Sequence, residues 1–271
     1  MTARSEGEEV KARVGWLGHS TVLVELPGLT FLTDPFFRDR LGPLRRHGPT
    51  PDPSELPGPD LVLISHAHPD HFDRGSVRHL PGDPLLIVPR GMAAAVSRAA
   101  PRARIREVRV GEVVEHGGWA VHAVTARHWR WPLSPAARSL GFLVEGPLGI
   151  YFAGDTSVFT GMRDLAGRVD LALLPIGRWG PQLTPGHLTP ETAAGVAATI
   201  GARVVVPIHW GTLYPRGLER LAPAPLREPA ERFHRALERK APDAVARALE
   251  PGESTIVSLP VRDPGTRASR G

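Results

Sequence analysis

The sequence predicts an α/β protein in which short strands form layered sheets and a few helices cover them. Short apolar runs recur along the 271 residues, each bounded by Gly, Pro or Asp, and such runs are typical of strands. Helical patterns are fewer. A chain of this length buries a sizeable core without disulfide or metal staples.

The predicted strands are of two kinds. Several runs in the first third alternate apolar and polar residues, which indicates antiparallel pairs with one solvated face. Others, such as LVLIS and VVVPI, are apolar throughout and are predicted to be buried on both faces. The predicted strands are Val14–Leu17, Thr21–Leu26, Thr30–Thr33, Leu61–Ser65, Leu85–Val88, Ala120–Thr125, Gly141–Glu145, Gly149–Ala153, Leu171–Pro175 and Val204–Ile208.

Three segments have helical patterns. The first is Gly91–Ala99, and the second is Pro190–Ile200. The second is better marked, because Thr189 is a good N-cap, proline occupies the first helical position and Gly201 follows the last. The third is the Ala-, Arg- and Glu-rich segment Arg227–Leu249, which a proline interrupts.

The rest of the chain contains few signals of regular structure. Gly42–Pro59 is proline-rich and is predicted to be a long loop, and the polar tail from Asp263 is predicted to be disordered. No internal repeat and no linker divide the chain. We therefore predict a single domain over residues 1–271.

Composition excludes several classes of function. The chain has no cysteine, so disulfides and thiolate metal sites are excluded, and any metal ion must bind through His and carboxylate groups. Because the N-terminal segment is polar, we expect no secretory signal. The sequence contains no run of about eighteen apolar residues, so we also expect no membrane span. The predicted location is the cytoplasm. The net charge of +5 comes from scattered arginines, so we expect no nucleic-acid partner.

The strongest functional signal is the heptapeptide SHAHPDH, which directly follows the buried run LVLIS. His66 and His68 are two residues apart, so both side chains can leave a strand end on the same side. Pro69 then turns the chain, which lets Asp70 and His71 face a second point. Four side chains of the types that Zn²⁺ prefers, on one short loop, predict a metal site.

Three more candidate ligands follow strand ends elsewhere in the chain. His128 follows a predicted strand, as do Asp155 and His209. Each of them alone is explained equally well as a turn or capping residue. Together with the loop, they supply enough ligands for two metal ions.

The ordered series SHAHPDH, RHW, FAGDT and PIHWGT resembles the motif series of the metallo-β-lactamase superfamily. The resemblance covers about residues 14–212 and implies a four-layer αββα sandwich with the metals at one edge of its two sheets. Residue by residue, it implies a first metal on three histidines, a second on one aspartate and two histidines, and an aspartate bridging both. The implied ligands are His66, His68 and His128, then Asp70, His71 and His209, with Asp155 as the bridge.

Further segments narrow the resemblance. VGWLGHSTVLVE, LLPIG and GHLTPETAA are similar to the branch that contains N-acyl-phosphatidylethanolamine-hydrolysing phospholipase D and L-ascorbate-6-phosphate lactonase. The absence of cysteine and the presence of Asp155 argue against antibiotic hydrolysis, and His68 argues against a flavo-diiron oxygen reductase. The ligand set alone does not exclude a glyoxalase-II-like thioesterase.

These ligands predict a hydrolase in which a metal-bridging hydroxide is the nucleophile. The net positive site suits a small-molecule or lipid-like anionic substrate. Asp70 is a candidate catalytic residue that orients the attacking water or accepts its proton. His187, just before a capped helix, is either a general acid or oxyanion donor, as the resemblance also implies, or a residue that supports a ligand or caps the helix.

Several aromatic and basic residues have two interpretations. His19 and His122 are each predicted to be ordinary core histidines, although His19 has a site-lining alternative. Trp129, Trp131 and Trp179 either pack their loops or form an apolar rim beside the metals. Arg130 and Arg178 are candidate phosphate partners.

The leading prediction is therefore a cytoplasmic phosphodiesterase, similar to phospholipase D, with two divalent metal ions. Zn²⁺ is the expected metal, and Mn²⁺ or Fe²⁺ is compatible with the same ligands. Lactonase and thioesterase activity are the alternatives within hydrolases, and a ribonuclease is disfavoured because no nuclease insertion or arm is recognisable. A metal-binding protein without catalysis is the non-enzyme alternative.

Overall fold

The computed structural model describes residues 8–128, 138–179 and 186–262. Its two large sheets each contain seven strands, and a third, small sheet has three. The strands are β1 Glu9–Gly18, β2 Thr21–Leu26, β3 Leu29–Thr33, β4 Arg40–Leu41, β5 Leu44–Arg46, β6 Leu61–Leu63, β7 Leu85–Pro89, β8 Arg104–Val108, β9 Val113–His116, β10 Trp119–Thr125, β11 Leu140–Glu145, β12 Gly149–Phe152, β13 Leu171–Pro175, β14 Val204–Ile208, β15 Leu213–Pro215, β16 Val245–Ala246 and β17 Ser254–Pro260.

The strand orders explain why the site residues converge. The first sheet has the order β17-β1-β2-β3-β6-β7-β8 and the second β16-β14-β13-β12-β11-β10-β9. Strands β3, β6, β7 and β8 are parallel neighbours, and so are β12, β13 and β14. Carboxyl ends of parallel strands meet at one edge of a sheet, so the loops after these strands gather at one end of the sandwich.

Within the part of the chain that the structure describes, four α-helices cover the outer faces of the two large sheets. They are α1 Arg74–Arg78, α2 Ala93–Ala99, α3 Pro190–Ile200 and α4 Ala224–Lys240. A buried cluster joins α1 and α2 to the first sheet, whereas the main core fills the space between the sheets and extends to α3 and α4. The four-layer αββα sandwich implied by the resemblance is therefore confirmed.

The predicted element bounds agree with the structure where local signals are strong. Helix α3 has the predicted bounds: Thr189 accepts a hydrogen bond from the Thr192 amide, and Gly201 adopts a left-handed φ of 69°. Helix α4 is shifted, because it begins at Ala224 and ends at Lys240, before Pro242. The predicted break at Pro242 is confirmed, and the prediction that helix continues beyond it to Leu249 is wrong.

The prediction of a long loop over Gly42–Pro59 is also wrong in part. The segment contains strand β5 and a short 3₁₀ helix, Pro53–Glu55. Strand β5 pairs with β15, where Leu213 lies opposite Arg46. The partner strand β15 is remote in sequence, so no local pattern in this proline-rich segment indicated a strand.

Within the described residues, no helix has the length and apolarity needed to cross a bilayer. The predicted tail from Asp263 lies outside the described residues.

A charged network fastens the last strand to the second sheet. Glu145 lies at its centre with its side chain 11% exposed, 2.9 Å from His122 Nε2. Arg168 Nε donates to Glu145 Oε1 at 3.1 Å, and Arg262 approaches the same oxygen at 3.5 Å. Burial raises the pKa of Glu145, but the hydrogen bonds from His122 and Arg168 outweigh it and lower the pKa to about 2.

Glu145→Gln is expected to destabilise the protein at pH 7 by about 1–3 kcal/mol, since it removes a buried charge that three cationic or polar groups face. The folded-state pKa is depressed, so this contribution is complete above the ordinary value of 4.5 and is lost as the pH falls toward about 2. Urea unfolding at pH 7 and pH 3 measures it. The difference in the free energy of unfolding between wild type and Glu145→Gln should be smaller at pH 3 than at pH 7. The control Glu238→Gln, at an exposed position, should show no difference from wild type at either pH. A larger difference at pH 3 than at pH 7 would contradict the stabilising role of the Glu145 charge.

Candidate metal centre

The loop after β6 carries four of the predicted ligands, and it turns at Pro69 as predicted. The amides of His71 and Phe72 both donate to the His68 carbonyl, at 3.0 and 2.8 Å. This tight turn separates the first two histidines from Asp70 and His71. All four candidate ligands are buried, with exposures of 0–6%.

The first cluster, which we call the histidine triad, consists of His66, His68 and His128. His66 Nε2 and His128 Nε2 lie 2.9 and 3.1 Å from His68 Nδ1. His128 Nδ1 lies 2.9 Å from the Gly186 carbonyl oxygen, so the proton sits on Nδ1 and Nε2 presents a lone pair to the triad. Burial lowers the pKa of His68 and of His128 to about 4 and that of His66 well below its usual range.

The second cluster joins Asp70, His71 and His209. His71 Nε2 lies 3.2 Å from His209 Nε2 and 3.6 Å from Asp70 Oδ2. His209 Nε2 lies 3.9 Å from the same oxygen. Burial raises the pKa of Asp70, but the charges of His71 and His209 and the hydrogen bond from His19 outweigh it and hold the pKa well below its usual value. The carboxylate is thus ionised.

Asp155 lies between the two clusters and is 2% exposed. Its Oδ2 is 3.2 Å from His71 Nε2, 3.9 Å from His128 Nε2 and 4.0 Å from His66 Nε2. Its Oδ1 is 3.2 Å from His209 Nε2. The structure therefore brings all seven sequence-predicted ligands together, with one carboxylate facing both groups.

His187 also reaches this centre. Its Nε2 lies 3.2 Å from Asp155 Oδ2, and its side chain is 5% exposed. The ring packs edge-on against His128 at 4.7 Å between centroids. Thr189, not His187, caps helix α3, so the interpretation of His187 as the capping residue is wrong.

Sequence reasoning assigned His19 wrongly. The residue is buried, but its partner is a site carboxylate: Nε2 lies 2.9 Å from Asp70 Oδ2. Its ring packs on that of His209 at 3.9 Å between centroids. The alternative, in which His19 lines the site and bonds a candidate ligand, is the one that the structure supports.

Sequence reasoning missed Asp34 altogether. This fully buried carboxylate accepts from the Ser65 amide at 2.7 Å and from the Ser65 hydroxyl at 2.6 Å. His71 Nδ1 lies 2.6 Å from Asp34 Oδ2, so Asp34 fixes the tautomer that leaves His71 Nε2 facing the centre. The signal was present, because Asp34 directly follows a predicted strand, as Asp155 does.

Backbone geometry is unusual at this centre. Among the described residues, the non-glycine positions with positive φ are His19, Asp34 and His209, at 55°, 32° and 59°. Side chains disfavour this region by roughly 1–3 kcal/mol each. His209 belongs to the second cluster, and His19 and Asp34 contact its members Asp70 and His71.

The remaining predicted residues are distributed as follows. His122 pairs with Glu145, away from the centre, so its structural interpretation holds. Arg178 lies 4.4 Å over the Trp179 ring, and Trp179 packs against the small core of Phe36 and its neighbours. Trp129, Arg130 and Trp131 lie outside the described residues.

The donor set fits divalent metal ions. Ring nitrogens face one another at 2.9–3.2 Å in both clusters, a spacing that requires a proton or a cation between each pair. Groups of His and Asp ligand atoms lie within 4.8 Å of one another around both clusters. Imidazole and carboxylate are the donors that such ions take where thiolates are absent.

Comparisons with known proteins agree with this site. The model of a family described as "Beta-lactamase superfamily domain" matches residues 30–210. An uncharacterised protein of Mycobacterium tuberculosis is 36% identical, over 94% of this chain and 72% of its own length. A protein of Nitratidesulfovibrio vulgaris called a UPF0173 metal-dependent hydrolase is 32% identical, over 90% and 95%.

Two further matches concern an enzyme and a solved structure. The mitochondrial N-acyl-phosphatidylethanolamine-hydrolysing phospholipase D of Saccharomyces cerevisiae is 33% identical over 82% of this chain, which spans about half (53%) of that enzyme. The structure of Igni18, a metallo hydrolase from Ignicoccus hospitalis, superposes with a TM-score of 0.71 at 22% identity, covering 92% of this chain and 99% of its own.

Fold and site together define a class of metal-dependent hydrolases in which two packed sheets carry the candidate metal ligands on loops at one end of the sandwich. The chain belongs to the metallo-β-lactamase superfamily, in the branch that resembles N-acyl-phosphatidylethanolamine-hydrolysing phospholipase D and the UPF0173 hydrolases.

Proposed function

We propose that this protein is a dinuclear metal hydrolase that cleaves phosphodiesters. The observation that carries the proposal is Asp155, a buried carboxylate with one oxygen near the histidine triad and both oxygens near the second cluster. A carboxylate in that position suits two cations that share it. The phospholipase D names of the yeast and Caenorhabditis elegans relatives support the substrate class.

The triad would hold one metal ion, and Asp70, His71 and His209 would hold the other, with Asp155 shared. Zn²⁺ is the ion we propose, since nitrogen and carboxylate donors in small clusters are its usual ligands. Bound there, divalent ions supply Lewis acidity and activate water for attack at neutral pH.

The charges of the chain's own groups favour an anionic substrate. The histidines of the triad are neutral at pH 7, because burial lowers their pKa. Only Asp70 and Asp155 bring negative charge to the proposed ligand set. Two carboxylates do not neutralise two divalent cations, so the loaded centre attracts a phosphodiester anion.

Two side chains are placed to handle protons. Asp70 accepts a hydrogen bond from His19 on Oδ2 at 2.9 Å, which orients the carboxylate and leaves its charge available to hold the attacking water. His187 Nε2, 3.2 Å from Asp155 Oδ2, is the group that can donate a proton to the departing oxygen. Hydrolysis of a phosphodiester needs both functions.

His187→Gln is expected to lower kcat by a factor of about 10²–10⁴, the usual contribution of a positioned general acid. Bound metal should remain unchanged, since His187 is not among the proposed ligands. Steady-state kinetics with metal analysis measures both quantities. The loss should be smaller for an ester whose leaving group needs no proton, such as a p-nitrophenyl phosphodiester, than for an alkyl phosphodiester. Equal losses on both esters would contradict the general-acid role.

The proposed function is tested by offering one preparation three substrates: an alkyl phosphodiester, a sugar lactone and a thioester. Faster phosphodiester cleavage, abolished by chelation and restored by two equivalents of Zn²⁺, is the expected result. Preference for the lactone or the thioester would overturn the substrate class. One metal per chain at full activity would overturn the dinuclear centre.

A further inference from the structure

Arg46, in strand β5 of the small sheet, is a buried cation that belongs to neither metal cluster. The residue is 5% exposed. Burial lowers the pKa of its guanidinium to about 10, and the charge of Asp39 offsets only part of that effect, so the group is charged at pH 7. A buried charge is tolerated where its hydrogen-bonding groups are satisfied, and the partners of this guanidinium therefore indicate its role.

The guanidinium fork binds three backbone carbonyl groups. Nε of Arg46 donates to the Arg38 carbonyl at 2.8 Å, Nη1 donates to the Leu17 carbonyl at 3.0 Å, and Nη2 donates to the carbonyl of Phe36. A planar guanidinium holds several acceptors in one fixed arrangement, which a lysine ammonium does not. The fork thus ties the end of β1 to the loop after β3.

These two segments carry residues that orient the second cluster. Leu17 lies two residues before His19, and Phe36 lies two residues after Asp34. His19 and Asp34 both have positive φ, at 55° and 32°. His19 bonds Asp70, and Asp34 bonds a histidine of the second cluster. The arginine fork therefore holds the backbone beside each of two strained residues.

The segment of the third left-handed residue reaches the same place. Arg46 lies opposite Leu213 in the pairing of β5 with β15, shortly after His209 in the chain. The His19 amide donates to Thr212 Oγ1 at 2.8 Å, and the His209 amide donates to the His19 carbonyl at 2.9 Å. The segments of all three left-handed residues therefore meet beside this arginine.

Gly18 shows how closely the guanidinium is packed there. Its φ is +107°, and a Cβ at this position would lie 2.6 Å from Arg46 Nη1 and 2.9 Å from Thr212 Cγ2. Glycine is the residue that permits such a close approach to the backbone. Any side chain at Gly18 would displace the guanidinium from the end of β1.

We propose that Arg46 is a positioning residue for the second metal cluster. Its fork holds the backbone beside His19 and Asp34, so these side chains keep the orientation in which they bond Asp70 and His71. This role depends on the proposed dinuclear centre but not on its substrate class.

The test replaces the fork and keeps the charge. In Arg46→Lys, competitive Zn²⁺ titration should show binding at the second cluster weakened by about tenfold, the lower end of the range typical of groups that orient metal ligands. His209→Ala removes a ligand of that cluster and identifies the binding step concerned. The triad step should change less, because its link to these loops is indirect: the Ser65 hydroxyl lies between Asp34 and His66.

Arg45→Lys is the matched control, since Arg45 is exposed and precedes Arg46 in the same strand. It should leave both affinities within a factor of about two. Arg46→Gln, which leaves no charge to bury, is the second variant and should weaken the second cluster at least as much as Arg46→Lys. Wild-type affinity at that cluster in both Arg46 variants, with stability reduced, would leave only a structural role and overturn the proposal.

A measurement on the metal-free protein separates failure of this proposal from failure of the proposed function. His71 Nδ1 lies 2.6 Å from Asp34 Oδ2, and such a short charge-assisted hydrogen bond should give its proton a downfield NMR resonance. In both Arg46 variants this resonance should move upfield or be lost by exchange with water, whereas Arg45→Lys should leave it in place. If wild type bound fewer than two Zn²⁺ ions, the dinuclear function would fail, and the resonance would still test Arg46. An unchanged resonance in both variants would overturn the positioning role.

Discussion

Asp155→Asn is expected to lower kcat by at least about a thousandfold and to reduce bound metal below two ions per chain. Removing one partner from a buried charged group typically costs 3–5 kcal/mol, and here the lost charge faces five histidine rings. An oxygen of this carboxylate lies 3.2–4.0 Å from a ring nitrogen of each of them: His66, His71, His128, His187 and His209. The amide keeps the size of the side chain but presents an NH₂ group to at least one of them. Metal analysis and steady-state kinetics on the same preparation measure both effects.

Asp164→Asn is the matched control, because Asp164 is exposed and lies in the segment that follows the same strand. It should keep full activity and full metal content. If Asp155→Asn retained both, the shared role of this carboxylate would be wrong. Loss of activity with both metals still bound would show that Asp155 acts on the substrate and not on the ions.

The second large effect is expected for Asp34→Asn. Asp34 receives three donors, the Ser65 amide, the Ser65 hydroxyl and His71 Nδ1, and an amide group cannot accept from all of them. We expect a loss of about 2–4 kcal/mol in the free energy of unfolding of the metal-free protein. We also expect metal affinity to fall about 10–100-fold, because His71 loses the group that orients it.

Urea unfolding and competitive Zn²⁺ titration separate these two effects. Asp60→Asn serves as control, since Asp60 is exposed and accepts one hydrogen bond, from the Thr30 amide. It should change neither quantity by more than about 0.5 kcal/mol. Unchanged Zn²⁺ affinity in Asp34→Asn, with stability reduced, would contradict the positioning role and leave only a structural one.

The sequence predicted those parts of the fold that depend on local chemistry. Helix α3 shows this, because Thr189, Pro190 and Gly201 determine its ends without help from distant residues. The wholly apolar runs predicted β13 and β14 with their observed bounds, since burial on both faces requires such runs. The clustering of the seven candidate ligands was predicted because each is polar, follows a strand and belongs to a recognisable motif series.

Elements that depend on distant partners were not predicted. Strand β17 pairs with β1 along seven residues, 239 or more positions away in the chain, and nothing local distinguishes STIVSLP from a terminal loop. Strand β8 was also not predicted. It is an edge strand with arginines on one face, so its sequence lacks the apolar run that predicted the buried strands. His19 and Asp34 escaped assignment for a related reason: only the closed sandwich brings them against Asp70 and His71.

The three left-handed residues at the metal centre have an evolutionary consequence. His19, Asp34 and His209 each hold a conformation that glycine or asparagine would adopt with less strain. Most mutations that relieve such strain stabilise a fold at the expense of its activity. A descendant released from catalysis would therefore gain stability by exchanging these residues. Their joint presence in one chain is what continued use of this site would require.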